Sequence, residues 1–244
     1  MRVLATYNIK GGVGKTSTAV NLAYLSARDG SRTLLWDLDP QGAASFIFRI
    51  KPRVKGGGKG LVRRTSSLED AIKGTDFDDL DLLPADFSYR NLDLLLDAQR
   101  KPVRRLRQLL RPLAEDYDTV ILDCPPGISL VSESVMYAAD TLLIPLIPAR
   151  LSLRTFDQLT DFVKALDDRP PSLAAFFSMV DRRKRLHRDV VTALTAERDD
   201  LLRTAIPNAT AIEQMAEQRA PVGVFAPRNV AAACYEALWA ELQT

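Results

Sequence analysis

The chain has 244 residues, 46% apolar and 26% charged, enough to bury a sizeable core in one large or two small domains and too apolar for wholesale disorder. A formal charge of +2 neither supports nor excludes a polyanionic partner, which leaves local clustering of basic residues as the informative signal. Cys124 and Cys234 are the only cysteines and His187 the only histidine; this gives no metal-site spacing, argues against a His-based metal centre, and fits a reducing cytosol.

The chain runs straight into an apolar strand, Val3 to Tyr7, with no signal-peptide pattern. No stretch approaches the roughly 18 apolar residues needed to span a bilayer. A soluble, cytoplasmic protein is expected. In chain order the β-rich runs are Arg2–Asn8, Thr33–Asp37, Leu80–Leu83, Thr119–Asp123, Thr141–Pro145, Leu173–Met179 and Leu202–Thr204. Helical patterns lie between and after them: Lys15–Asp29, Tyr89–Leu113, Leu130–Ala138, Ser152–Leu166, His187–Ala196, Thr210–Gln218 and Asn229–Leu242. Near-continuous apolar strands alternating with helices predict an α/β fold, a doubly wound and mostly parallel sheet flanked by helices. No repeat or linker divides it, so residues 1–244 are expected to form a single domain. Arg49 to Arg64 breaks the rhythm: it is basic, glycine-rich and without apolar periodicity. It reads as a solvated loop, or as a basic arm that orders on nucleotide, partner or nucleic acid.

The first strand leads into Asn8-Ile9-Lys10-Gly11-Gly12-Val13-Gly14-Lys15-Thr16-Ser17, and then a helix begins. Glycines let backbone N–H groups of the Gly11–Ser17 loop approach phosphate oxygens, and the helix N-terminus adds partial positive charge. In such a phosphate loop Lys15 neutralises β/γ-phosphate charge and the Thr16 hydroxyl ligates Mg²⁺. The first glycine of the usual G-x-x-x-x-G-K-[ST] pattern would fall at Ile9, and a second lysine, Lys10, opens the loop instead. Further on, Leu34-Leu35-Trp36-Asp37-Leu38-Asp39-Pro40-Gln41-Gly42 is an apolar strand ending in two carboxylates, and Thr119-Val120-Ile121-Leu122-Asp123-Cys124-Pro125-Pro126-Gly127 ends in one.

These three motifs together resemble the ParA/MinD family of deviant Walker A P-loop ATPases, over almost the whole chain and least from Phe48 to Asp116. The resemblance implies a Mg²⁺-dependent ATPase binding ATP or ADP. In it Lys10 reaches across an ATP-sandwich homodimer to the partner's phosphates, Asp39 orients the attacking water, Asp37 supports the magnesium shell, and Asp123 holds Mg²⁺ through water. Pro125 to Gly127 would form a second switch. The segments around Met179 and Pro207 look like the family's nucleoside side, so both are expected at the adenine.

Members of this family serve different processes, and each branch leaves a sequence mark. A MinD-like membrane ATPase would end in a basic amphipathic helix; Ala233 to Leu242 carries acids, no Lys or Arg, and apolar residues at helical spacing, which predicts a helix docked on the core and no membrane targeting. An iron–sulfur reductase needs paired cysteine ligands, and neither Cys124 nor Cys234 is placed like one, so no cluster is expected. A ParA-like partition ATPase binds non-specific DNA as a dimer through a basic patch. The run Arg182-Arg183-Lys184-Arg185-Leu186-His187-Arg188 supplies one, with Arg182, Arg183, Arg185 and Arg188 as contacts. Arg203, Arg219 and Arg228 could extend it, and His187 is read as surface or nucleic-acid-facing. After Ile206-Pro207, relatives often carry arginines where this chain has Asn208 and Ala211. Arg104, Arg105, Arg107 and Arg111 form another basic helix face. The resulting expectation is a nucleoid-associated switch for DNA partition or cargo positioning, released by a ParB-like partner or cargo adaptor that stimulates hydrolysis. The alternative is a regulatory or assembly ATPase acting only on protein partners, without DNA.

Overall fold

The computed structural model describes residues 1–167, 169–198 and 200–243. Seven strands form one sheet in the order β3-β4-β2-β5-β1-β6-β7: β1 (Arg2–Thr6), β2 (Thr33–Asp37), β3 (Lys73–Gly74), β4 (Leu80–Leu83), β5 (Thr119–Asp123), β6 (Thr141–Leu146) and β7 (Ser172–Phe177). Only the β3–β4 pair is antiparallel. Side chains alternate across the strands. Val3, Ala5, Leu34, Trp36, Val120, Leu122, Leu142 and Ile144 feed one core; Leu4, Leu35, Ile121 and Leu143 feed the other. With both faces buried, the strands read as unbroken apolar runs.

On the first face lie α3 (Gly57–Arg63), α4 (Leu92–Asp97), α5 (Arg105–Leu110), α6 (Leu130–Ala138) and α7 (Arg150–Lys164). The second is covered by α1 (Lys15–Arg28), α2 (Ala43–Ile47) and α12 (Val230–Glu241). Helix α8 (Arg185–Glu197) follows β7, and α9 (Thr210–Glu213), α10 (Met215–Gln218) and α11 (Val222–Phe225) connect it to α12. The last helix docks on the core as its apolar spacing predicts: Ala231, Ala232, Tyr235, Leu238 and Trp239 are buried. Trp239 Nε1 donates to Asp29 Oδ2 at 2.9 Å, and Arg28 pairs with Glu236 at 2.6 Å, fixing α12 against α1. Among the described residues no helix is long and apolar enough to cross a membrane.

Three sequence expectations give way. The 89–113 helix is broken into α4, α5 and flanking 3₁₀ turns, because Pro102 and Pro112 each remove a helical N–H donor and clash with the preceding turn. Leu202–Thr204 is not a strand. Leu202 N and Ile206 N do reach β7 carbonyls, but the N–H groups of Arg203 and Thr204 turn to the Glu241 carboxylate at 2.6 and 3.0 Å, so the chain peels off the sheet edge. Finally, the basic glycine-rich segment is not a loop throughout, since it contains α3. There Leu61 and Val62 enter the core, and Gly58 is a packing residue, for a Cβ would sit 3.1 Å from the Tyr89 ring.

Candidate functional site

The carboxyl ends of β1, β2 and β5 meet at one edge, where open α/β sheets place their ligands. From β1 the chain enters the glycine loop, anchored by buried Asn8. Its Nδ2 donates to Pro145 O at 2.8 Å and its Oδ1 accepts from Lys10 N at 2.9 Å. Gly12 and Gly14 turn the loop with φ of +68° and +96°. At Gly14 a Cβ would also lie 2.7 Å from Ser178 Oγ. Gly14→Ala is therefore both strained and crowded, at a cost of about 1–3 kcal/mol. Thermal unfolding should show a Tm lowered by ~2–4 °C per kcal/mol; an unchanged Tm would mean that the loop is not held as described.

Lys15, only 6% exposed, donates from Nζ to Lys10 O at 3.0 Å. Burial pushes its pKa down, against the opposing pull of Asp123, Cys124 and Asp39. Asp37 and Asp123 are direct neighbours across the β2–β5 ladder, and both are fully buried, but their carboxylates are used differently. Asp37 Oδ2 accepts from Ser45 N at 2.8 Å and Ser45 Oγ at 2.7 Å, and Oδ1 accepts from Asp39 N at 3.3 Å. Burial pushes Asp37 up to about 6 despite those bonds. Asp123 Oδ1 accepts from Thr6 Oγ1 at 3.3 Å, while Oδ2 has no partner. Burial first and the Asp37 charge second drive Asp123 upward; the nearby Thr16 hydroxyl and Lys15 ammonium pull it back. A buried carboxylate oxygen left unpaired is uncommon and calls for a donor or a cation. Among the described residues no three His, Cys, Asp or Glu side chains form a metal cage, so a cation here would take its remaining ligands from water and phosphate, as Mg²⁺ commonly does.

Asp39 is half-buried, and its Oδ1 is fixed by Gln41 N at 2.9 Å. With Gly11, Lys15, Thr16, Ser17 and Pro126 it lines a cleft of about 240 Å³. A second cleft, of about 220 Å³, shares Gly12, Gly14 and Ser17 with the first and continues past Ser178, Met179, Pro207, Asn208, Ile212, Glu213 and Tyr235. Met179 and Pro207 come together through the Val180–Pro207 bridge, and Met179 has a left-handed φ of +54°. Lys10 lines neither cleft, and Val13 is buried beneath the loop. Gly127 N donates to Ile9 O at 3.0 Å and its carbonyl accepts from Tyr7 Oη at 3.0 Å, so the Pro125–Gly127 turn is tied to the glycine loop. Sequence reasoning missed Ser45 and the Ile212, Glu213 and Tyr235 wall. The Ser45 role had no local signal, and Tyr235 was legible only as a docking residue.

Arg182, Arg183, Arg185 and Arg188 are exposed on the turn after β7 and the first turn of α8. Two of them have carboxylate partners: Arg183 with Asp181 at 3.0 Å and Arg185 with Asp189 at 3.4 Å. His187 is half-buried and its Nδ1 accepts from Asp181 N at 3.2 Å, shaping the turn. Arg203 also leaves the expected patch. Its N–H binds Glu241, beside Leu242, whose carbonyl accepts from Arg2 at the start of β1, which is the opposite edge of the sheet. Cys124 is buried in the core and Cys234 half-buried on α12; both are free thiols.

A family model described as an AAA domain matches residues 1–175. The chain is 30% identical to the sporulation initiation inhibitor protein Soj of Bacillus subtilis, covering 96% of this chain and 95% of that one. It is 31% identical to the chromosome partitioning protein ParA of Myxococcus xanthus, with 99% and 87% covered. Among solved structures, cobyrinic acid a,c-diamide synthase of Mycobacterium smegmatis with bound ATP analogue and magnesium superposes with a TM-score of 0.85 at 26% identity, over 100% of this chain and 94% of that one.

Proposed function

Because the chain belongs to the ParA/MinD family of P-loop ATPases, we propose that it is an ATP-hydrolysing switch that positions DNA or another large cargo. The observation that carries the reading is the unpaired Asp123 Oδ2 beside Lys15 and Thr16, where the glycine-loop cleft joins a second one through Gly12, Gly14 and Ser17. In this reading the backbone from Gly11 to Ser17 surrounds the phosphates, Lys15 leaves the Lys10 carbonyl for the β/γ-phosphates, and Met179 and Pro207 flank the adenine. Thr16 and Asp123 would hold Mg²⁺, which would supply neutralisation of phosphate charge. Asp37 has both oxygens engaged by Ser45 and Asp39, so its part is to position the Asp39 loop rather than to touch the metal. Asp39 orients the attacking water.

Lys10 lies outside its own clefts, which suits a lysine that completes a partner's site. ATP then drives a homodimer, and dimerisation pairs two copies of the Arg182–Arg188 surface against duplex DNA without sequence preference. A partner protein stimulates hydrolysis and releases the dimer, and the ATP-bound pool rides the nucleoid. The reading restricted to protein partners draws on two observations. Arg183 and Arg185 already have carboxylate partners. Ala211, in the stretch after Ile206-Pro207, is uncharged and buried.

The deciding test is binding of random-sequence duplex DNA by the hydrolysis-deficient Asp39→Ala protein, with ATP or ADP, at 50 and 200 mM salt. ATP-dependent binding that weakens by ~10³-fold or more across that range is expected for six to ten phosphate contacts. Adding Lys10→Ala should abolish both the ATP dimer, read by light scattering, and the DNA binding, while nucleotide affinity stays within about threefold. A stable ATP dimer that ignores DNA at low salt would establish the protein-only reading.

A further inference from the structure

Besides the Arg182–Arg188 run, two segments that the nucleotide site does not use concentrate positive charge. Lys51 to Arg64 contains six Lys and Arg, Arg100 to Arg111 contains six more, and neither contains Asp or Glu. The rest of the chain carries the other 21 of the 33 basic residues and all 31 acids. Apart from these segments the chain is net negative by ten.

The fold brings the two segments together. α3 and α5 bury Leu61, Val62, Leu106 and Leu109 in one core. The Arg105 guanidinium donates to Val62 O at the end of α3, from Nε at 2.8 Å, and Arg64 donates to Gln108 O at 2.8 Å. Burial and the neighbouring Arg64 charge push the Arg105 pKa down, a sign of how closely the cations are held. Two grooves flank α5. One, of about 220 Å³, is lined by Gln99, Arg100, Lys101, Arg105 and Gln108. The other, of about 310 Å³, has Leu68, Leu109, Pro112 and Leu113 as its apolar floor, with Thr65, Ser66, Ser67 and Glu69 at its rim, where the Glu69 carboxylate accepts from Ser67 Oγ at 2.7 Å. They are joined by the Arg64–Gln108 hydrogen bond, since Arg64 lines the second and Gln108 the first.

We propose that the α3–α5 surface is a docking site for an acidic amphipathic segment of a partner protein, its apolar side chains in the Leu68–Leu113 groove and its carboxylates on the Arg100–Lys101 groove. Duplex DNA would match the charge but would leave the apolar groove unused; an amphipathic peptide uses both. The surface is also wired to the site. Asp86 accepts from Val54 N at 2.9 Å and from Ser88 Oγ at 2.6 Å, and Ser88 Oγ accepts from Gly58 N at 2.8 Å. One residue before Asp86, Ala85 N donates to Ser45 Oγ, the group that holds Asp37. The proposal requires neither the ATP dimer nor DNA binding, and it stands or falls separately from them.

The probe is a fluorescein-labelled helical peptide of leucine and glutamate at i, i+3 and i+4 spacing, with a leucine-to-serine control, titrated by anisotropy into the ADP-bound full chain. Lys59→Glu/Arg100→Glu/Lys101→Glu should weaken the peptide by at least tenfold. Ser67→Trp, which fills the apolar groove from an exposed position, should weaken it at least threefold with the charges intact. Arg182→Glu/Arg188→Glu should leave it within twofold. Thermal melts of each variant confirm that the fold is kept. No peptide binding at low salt, equal binding of the serine control, or insensitivity to both α3–α5 variants would overturn the proposal. So would a triple variant that loses random duplex DNA but keeps the peptide, which would assign the surface to nucleic acid.

Discussion

Lys15→Ala is expected to weaken ATP binding by about 100-fold or more while leaving the fold unchanged. The ammonium makes one hydrogen bond in the protein, to the Lys10 carbonyl at 3.0 Å, and burial holds its pKa below the ordinary lysine value. Such a group contributes little to the resting fold, because part of what its hydrogen bond gains is offset by desolvation. Phosphate changes the balance. Two charge-assisted hydrogen bonds to β- and γ-oxygens, each about 1.5–3 kcal/mol, account for two or more decades of affinity. Calorimetric titration with Mg-ATP measures the loss, and a thermal melt without nucleotide checks that Tm moves by no more than ~3 °C. An affinity within threefold of the parent would remove Lys15 from the phosphate site.

Asp39→Ala separates chemistry from binding. Asp39 lines the glycine-loop cleft and its carboxylate is held by the Gln41 N–H; its own N–H donates to Asp37 Oδ1 of β2, a backbone bond that alanine keeps. Its loss should therefore leave the fold and ATP affinity nearly intact. Turnover should fall by ~10²–10⁴, the range for a residue that orients or deprotonates a nucleophile. Single-turnover phosphate release gives the rate, and a parallel ATP titration gives the affinity. A fall of less than tenfold would exclude Asp39 from the reaction. An equal fall in affinity would instead mean that the Asp39 loop shapes the phosphate pocket.

Both residues were legible in the sequence for the same physical reason. A strand, a tight turn and a helix start are contiguous in the chain, so the spacing of Lys10, Gly14, Lys15 and Thr16 determines where their groups point. The carboxylates at the ends of β2 and β5 needed only strand identity, and their register puts Asp37 opposite Asp123. What the sequence hid depended on distant partners. That Ser45 holds the Asp37 carboxylate had no signal in the strand motif. The wall of the second cleft joins Met179, Pro207, Glu213 and Tyr235 from four separate segments. Helix α3 was concealed by composition, because glycines usually mark mobility, whereas Gly58 is there to lie against Tyr89. The broken 89–113 helix was a misreading rather than a limit, since Pro102 and Pro112 stand in plain view.

The two-sided nucleotide cleft has a consequence for biosynthesis. Its phosphate side comes from residues 10 to 17, its opposite wall from residues 178 to 235. On a ribosome moving at about 5–20 residues per second, the glycine loop precedes Tyr235 by on the order of 10–45 s. During that interval α1 also lacks α12, and the apolar face that later receives Tyr235, Leu238 and Trp239 is uncovered. A nascent chain can thus present phosphate-binding backbone without a place for the base. The wall opposite the glycine loop is complete only when Tyr235 of the last helix joins Met179, Pro207 and Glu213.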